Sequence, residues 1–307
     1  MTNNRMSLAH VRKGKIDHAI RLVMYGQEGV GKSWFAACSR KPIFLGAENG
    51  TENYDVHRLP QPGNWSDVID GVRMLTRETH DYGSLVLDTL DWAEPLCWEY
   101  VCSQGGQKSI EDFGYGKGYL AALEQWRVLL SALDDLRQTK NMDIILISHS
   151  DIKTFKNPTG DDYDRYSMKI NHRAAGLIRE WSDVVLFAAW ETYATKVGPG
   201  KDARSKGFST GKRVAYTERR AGWDAKNRYG LPEVMPLDWT EFYTRVKFDE
   251  AKESLRLREE IKAKLSKLRN KDRRTDGEKW LSKAGLSVED LRVGLNTVEI
   301  ELAEVET

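Results

Sequence analysis

One short segment limits the folds open to this chain more than any other. Residues 26–33 read Gly-Gln-Glu-Gly-Val-Gly-Lys-Ser, directly after the apolar run 20–25 and before a sequence that favours a helix. Glycines let backbone N–H groups close around an anion, because a Cβ there would collide or forbid the backbone angles. A strand, this loop and a helix in succession predict an α/β fold that binds nucleotide phosphates at the loop.

The loop also predicts roles for individual side chains. Lys32 would place its charge on the β- and γ-phosphates of ATP, and Ser33 would offer its hydroxyl to Mg²⁺. ATP and Mg²⁺ are therefore the expected cofactors, and the expected class is a P-loop NTPase. The predicted nucleotide-binding residues are Gly26, Gln27, Glu28, Gly29, Val30, Gly31, Lys32, Ser33 and Trp34.

Composition narrows the class of protein. The chain has 307 residues, of which 40% are hydrophobic, enough for one sizeable core or a core with a small satellite. A formal net charge of +1 gives no general attraction to nucleic acid, so such binding would need a local patch. Three scattered cysteines argue against a zinc site or a disulfide framework. No apolar run approaches the ~20 residues that span a bilayer, so we expect a cytoplasmic protein without a membrane partner.

The chain divides into three segments by composition. Residues 1–18 are polar and basic, either a flexible tail or a docking arm. Residues 19–246 alternate short apolar runs with helical patterns, which predicts a mostly parallel sheet flanked by helices. Within this segment, 150–171 and 198–211 interrupt the alternation and are predicted to be loops. Residues 247–307 are rich in Lys, Arg and Glu and predict a small helical extension.

Three polar residues follow predicted strands at the edge where ligands bind in such sheets. Asp88 ends the apolar run 84–87 and is predicted to hold the Mg²⁺ shell, with Asp91 as a competitor. Glu48 would polarise the attacking water, although a capping or surface role has equal weight. His149 would sense the γ-phosphate, and its alternative is a satisfied polar residue at a strand end.

The order of these sites resembles the core of RecA-type recombinases over about residues 19–246. Residues 225–228, Ala-Lys-Asn-Arg, resemble the Lys-Asn-Lys element with which such recombinases reach the ATP of a neighbouring subunit. His149 stands where bacterial RecA has Gln. The chain looks most like the phage-encoded RecA-like ATPases of the Sak single-strand annealing group, through residues 114–119 and 147–150.

The resemblance implies a RecA-like P-loop core that hydrolyses ATP, binds single-stranded DNA and promotes annealing or strand exchange in phage recombination. It also implies a ring or filament of identical subunits, a single-strand binding protein as a further partner, and the host cytoplasm if the chain is phage-encoded. A nucleotide-switched assembly or loading factor acting on protein partners is the alternative. The implied catalytic residues are Lys32, Glu48, His149, Lys226 and Arg228. The last two would act in trans, or else be surface cations or local salt-bridge partners.

By the same resemblance, residues 151–170 correspond to a mobile DNA-binding loop. Its cations would neutralise phosphates and its aromatic rings would stack on bases. Four aspartates leave the loop nearly neutral, so a lid or protein-contact role stays open. The predicted DNA-binding residues are Lys153, Phe155, Lys156, Arg165, Tyr166 and Lys169. A second basic cluster, with ordinary solvated charge as its alternative, comprises Lys201, Arg204, Lys206, Lys212 and Arg213.

Overall fold

The chain forms two compact units, Met1–Phe242 and Tyr243–Thr307. The three predicted segments, with boundaries after residues 18 and 246, stay a prediction. The computed structural model describes residues 18–46, 50, 52–197, 204–247, 250–268, 270–283, 286 and 288–303.

The strands of the first unit lie in a mixed sheet. They are β1 (Arg21–Gly26), β2 (Pro42–Gly46), β3 (His57–Arg58), β4 (Ser84–Asp88), β5 (Asp143–Phe155), β6 (Tyr163–Met168), β7 (Val184–Val197), β8 (Arg204–Tyr216), β9 (Lys226–Asn227) and β10 (Val234–Pro236). The helices are α1 (Lys32–Ala37), α2 (Trp65–Arg77), α3 (Leu90–Gly105), α4 (Lys117–Lys140), α5 (His172–Trp181) and α6 (Trp239–Val246), with a 3₁₀ turn at Ile110–Phe113.

The strand order is β10-β8-β7-β1-β5-β4-β2-β3, with β6 paired to β5 and β9 to β7. The pairs among β7, β1, β5, β4, β2 and β3 are parallel, whereas β8 and β10 add antiparallel pairs. The apolar runs of the central strands are buried, as expected for a sheet covered on both faces. The prediction of a mostly parallel sheet is confirmed.

Helices α2 and α4 each pack one apolar face against the core of the first unit. Asn64 caps α2 by accepting a hydrogen bond from the Asp67 backbone N–H, and Val68, Val72 and Leu75 are buried. Three and four residues separate the apolar side chains of α4, so that they form one face. The buried residues of that face include Trp126, Leu129, Leu130, Leu133 and Leu136.

Two segments predicted to be loops are antiparallel hairpins. β5 continues beyond Ser148 to Phe155 and pairs with β6, from Ser150–Met168 to Phe155–Tyr163; we call residues 150–168 the β5–β6 hairpin. The pairing of β7 with β8 extends to Val197–Arg204; we call residues 190–213 the β7–β8 arm, of which 198–203 lie outside the described residues. The loop predictions were wrong because charges masked a high content of strand-forming aromatic and Thr side chains.

The second unit contains α7 (Glu250–Leu265), α8 (Lys271–Leu281) and α9 (Val288–Ala303). The apolar stripe of α7 is buried together with Leu281 of α8 and Leu291 of α9. The predicted helical extension is therefore confirmed, and it has a core of its own. Among the helices that the structure describes, none is long and apolar enough to cross a bilayer.

Candidate functional site

The loop between β1 and α1 has the backbone geometry of a phosphate cradle. Gly29 and Gly31 have φ angles of 72° and 105°, a region that residues with a Cβ rarely adopt. Gly26 pairs with His149 on one side and Ala188 on the other. A Cβ on Gly26 would lie 2.1 Å from the Ala188 carbonyl oxygen, so the close approach of β1 and β7 requires this glycine. The loop is thereby fixed at the carboxyl edge of the parallel strands.

Lys32 and Ser33 follow the cradle directly. Lys32 begins α1 and is 5% exposed, and its Nζ donates to the carbonyl oxygens of Gly26 and Gln27, both at 2.9 Å. These bonds hold the ammonium group across the loop. Ser33 is the next residue, and it lines the cavity that lies against the loop. A cation and a hydroxyl therefore lie where contacts to phosphate and Mg²⁺ are needed.

A cavity of about 820 Å³ lies against the loop and unites side chains from distant parts of the sequence. Asp88, the last residue of β4, is 4% exposed and faces this cavity with Ser33. A hydroxyl and a carboxylate, with phosphate oxygens, are donors that Mg²⁺ accepts. Val30 is buried in the core instead. The predicted site residues that line the cavity are Glu28, Gly29, Gly31, Lys32, Ser33, Trp34, Asp88 and His149.

Asp91 is hydrogen-bonded to His149, and its competition with Asp88 for Mg²⁺ stays a prediction. The backbone N–H and Nδ1 of His149 each lie 2.8 Å from an oxygen of the Asp91 carboxylate, and Ser148 Oγ donates at 3.3 Å. Burial opposes the charge on Asp91, but the hydrogen bonds from His149 outweigh it and lower the pKa of Asp91. Since α3 begins at Leu90, Asp91 lies in its first turn and points to β5.

The family model of the AAA domain matches residues 18–229, which is more than two thirds of the chain. The chain belongs to the AAA domain family. A crystal structure of the RadB recombinase is similar at a TM-score of 0.36 and 14% identity, over 67% of this chain and 84% of that chain. No curated protein matches the sequence. The predicted α/β fold, a mostly parallel sheet flanked by helices with a helical extension, is confirmed, whereas its RecA-like character stays a prediction. P-loop ATPases generally use ATP and Mg²⁺.

The cavity of this AAA domain contains side chains that we did not assign to the nucleotide from sequence. Tyr54 packs edge-on against Trp34 with 5.6 Å between ring centroids, and Trp92 is 54% exposed at the same cavity. Lys169 and Arg213 also line it. No local pattern marks these residues, because they reach the cavity only through the fold. The predicted Glu48 lies outside the described residues.

The predicted DNA-binding residues of the AAA domain do not form one exposed surface. Lys153 is exposed and donates to the Ile170 carbonyl oxygen at 3.2 Å, and Lys156 pairs with Asp162 at 2.5 Å. Tyr166 stacks on Phe187 at a centroid distance of 4.9 Å and packs against the core. Lys169 faces the nucleotide cavity. The DNA-binding role of the β5–β6 hairpin stays a prediction, and fewer of its side chains are exposed to bind DNA than the sequence predicted.

Arg165 is buried, not exposed, with 6% of its surface accessible. Its guanidinium pairs with Asp224 at 2.7 Å and lies 5.2 Å from the Phe155 ring centroid. Asp224 also pairs with Arg179 at 2.6 Å, and its backbone N–H and C=O bond to the hydroxyl of Tyr25 at 2.9 and 2.7 Å. Arg165 therefore ties the β5–β6 hairpin to the end of β1, which explains why it is not available to a DNA phosphate.

Lys226 and Arg228 have partners within their own chain. Lys226 Nζ donates to the carbonyl oxygens of Arg179, Glu180 and Ser182 at 2.6–2.9 Å, where α5 ends. Burial and the nearby Arg228 lower the pKa of Lys226. Arg228 pairs with Asp183 at 3.3 Å. These contacts match the alternative of local partners, and the action of both residues in trans stays a prediction.

Proposed function

We propose that this AAA domain binds and hydrolyses ATP with Mg²⁺, and that the bound nucleotide controls its binding of single-stranded DNA. The continuous course of strand β5 is the observation that supports this proposal best. It runs without a break from Asp143 in the core, past His149 at the nucleotide cavity, to Phe155 in the β5–β6 hairpin. A shift of His149 in response to the γ-phosphate would therefore move the hairpin.

The β7–β8 arm provides a surface of the kind that single-stranded DNA binds. Tyr193 and Phe208 are cross-strand partners whose rings stack at 5.7 Å, and Tyr193 is 54% exposed. Arg204 and Lys206 precede Phe208 on the same strand. Exposed aromatic rings next to cations suit single strands of any sequence, because every base has a face that can stack. Lys153 on the β5–β6 hairpin is an exposed cation.

In this proposal the protein promotes annealing or strand exchange, as implied by its resemblance to the phage Sak group. Identical subunits would assemble head to tail in a ring or filament along the strand. Lys226 and Arg228 would then reach the ATP of the next subunit, with a single-strand binding protein as a further partner. Each of these points rests on the resemblance.

DNA-stimulated ATP hydrolysis tests the central point. We expect the wild-type protein to hydrolyse ATP faster when single-stranded DNA is added, and Lys32→Ala to lose hydrolysis with or without DNA, since Lys32 is the cation held across the loop. ATPase activity that ignores DNA, together with no binding of a labelled oligonucleotide in any nucleotide state, would contradict the proposal. That outcome would favour the alternative of an assembly factor for protein partners.

The arm is tested separately with a matched pair of variants. Tyr193→Ala should weaken oligonucleotide binding by roughly 1–3 kcal/mol if its ring stacks on a base. Tyr193→Phe keeps the ring and should bind like the wild type. The affinity should also fall with salt, with a log–log slope of about −0.7 per phosphate neutralised. Equal affinities for all three proteins would place the DNA contact away from the arm.

A further inference from the structure

Arg213 lies on β8 and belongs to the second basic cluster of the sequence, for which ordinary solvated charge was the alternative. Its side chain reaches the phosphate loop. It is the cross-strand partner of Trp190 on β7, and its guanidinium carbon lies 4.7 Å from the centroid of the Trp190 ring. A Cβ built on Gly31 would lie 3.0 Å from Nη1 of Arg213. The guanidinium is therefore held between an aromatic face and the backbone of the loop.

The surroundings of Arg213 allow the N–H donors of its guanidinium to bind a ligand. Within the described part of the chain, its guanidinium has the Trp190 ring as its partner and no carboxylate. It faces the same cavity as Lys32, Ser33 and His149. By contrast, Arg228 pairs with Asp183. An arginine presents five N–H donors in a planar fork that fits two phosphate oxygens at once.

We propose that Arg213 contacts the γ-phosphate of the ATP bound to its own subunit, as an arginine supplied in cis. This inference rests on the proposed binding of ATP. A cation at this position stabilises charge on the transferring phosphoryl group and distinguishes ATP from ADP. Trp190 is a positioning residue, since its ring holds the guanidinium toward the loop through a cation–π contact. Because Arg213 belongs to the β7–β8 arm, the contact also connects the γ-phosphate to that arm.

Nucleotide affinities of full-length variants test this contact. Arg213→Ala should bind a non-hydrolysable ATP analogue about 10- to 100-fold more weakly than the wild type, the range for a lost charged hydrogen bond. It should bind ADP equally well, which also shows that the variant folds. Turnover should fall on the order of 10²–10³-fold. Arg213→Lys should recover part of the analogue affinity. Arg77→Ala, which removes an exposed arginine of α2 outside the cavity, should match the wild type.

Each other outcome identifies what is wrong. If the analogue and ADP both bind to Arg213→Ala as to the wild type, while Lys32→Ala binds neither, the Arg213 contact is wrong and the ATP site stands. An equal loss of both ligands would contradict a γ-phosphate contact. A wild-type protein that binds no ATP would overturn the proposed function, and this inference with it.

A mixture of variants distinguishes cis from trans. Arg213→Ala and Lys32→Ala subunits each lack one part of the same site, so mixing them should restore no ATPase activity. Recovery of activity in the mixture would show that Arg213 serves a neighbouring subunit, and it would overturn the cis assignment.

Discussion

His149 and Asp91 are joined by two hydrogen bonds, one from the His149 backbone N–H and one from its ring Nδ1, each 2.8 Å long. Because an ionised carboxylate only accepts, Nδ1 donates this hydrogen bond and the imidazole ring is held in one orientation. We expect Asp91→Ala to retain ATP binding but to lose about 10- to 100-fold in turnover, as when carboxylates that orient metal-binding imidazoles are removed. ATP affinity and single-turnover rates measure this. Asp135→Ala, an exposed carboxylate of α4, is the control. Normal turnover in Asp91→Ala would exclude the orienting role.

Glu48→Gln should bind ATP normally and lose most of its turnover. The amide has nearly the shape of the carboxylate but cannot accept a proton from water, and a general base is worth ~10²–10⁴-fold. Steady-state hydrolysis and ATP affinity of the variant test this expectation. Turnover within about threefold of the wild type would assign Glu48 a capping or surface role.

Lys226→Ala should destabilise the protein whether or not Lys226 acts in trans. The variant leaves three carbonyl oxygens at the end of α5 without their cation, and we expect the free energy of unfolding to fall by about 1–3 kcal/mol. Urea unfolding of the variant measures this loss.

A mixture of Lys226→Ala/Arg228→Ala with Lys32→Ala subunits tests the trans role, which requires recovery of ATPase activity. Co-assembly without recovery would restrict both cations to their local partners.

Arg165→Ala and Lys156→Ala should have different effects on the stability of the protein. Arg165 is buried against Asp224, so its removal should cost about 1–3 kcal/mol of stability. Lys156 is exposed and its ion pair with Asp162 lies in solvent, so Lys156→Ala should change stability by less than about 1 kcal/mol. Thermal unfolding and oligonucleotide affinity should be measured on both variants. A stable Arg165→Ala protein with weakened DNA binding would return Arg165 to the DNA surface.

Glu94 should make the stability depend on pH. Burial raises its pKa to about 7, against the hydrogen bonds that it accepts from the Asn171 backbone N–H. The folded state therefore binds a proton that the unfolded state has released above its ordinary pKa near 4.5. This contribution to stability is present below pH 4.5 and is lost as the pH rises toward 7. The urea midpoint of the wild type relative to Glu94→Gln should fall across this window. A constant difference would contradict the raised pKa.

Local patterns predicted the elements of the fold better than the contacts across it. The phosphate loop and the strand ending at Asp88 were predictable because a few adjacent residues fix them. The partners of His149 and Arg165 were not, since Asp91 and Asp224 lie 58 and 59 residues away along the chain. Arg213 likewise reaches Gly31 only because β8 pairs with β7 and β7 with β1. Spacing in one sequence carries no information about which distant side chains meet.

The prediction that residues 150–171 form a loop was wrong for a different reason. Charged residues between 150 and 171 resemble a solvated loop in composition, but alternate residues of a strand can face solvent without breaking its pairing. Thr154 illustrates this, since its hydroxyl bonds Asp164 on the partner strand. Composition therefore indicated the exposure of part of this segment, but it gave the wrong backbone conformation and missed the burial of Arg165.

The β5–β6 hairpin is attached to the strands behind the phosphate loop at more than one point. β5 itself runs beside His149, Asp224 joins Arg165 of the hairpin to the Tyr25 hydroxyl, and Tyr166 stacks on Phe187 of β7. A segment held in this way cannot swing out like a flap on a single hinge. A shift of β5 beside the nucleotide would therefore tilt the hairpin as a whole, and the displacement would be largest at the tip around Asn157.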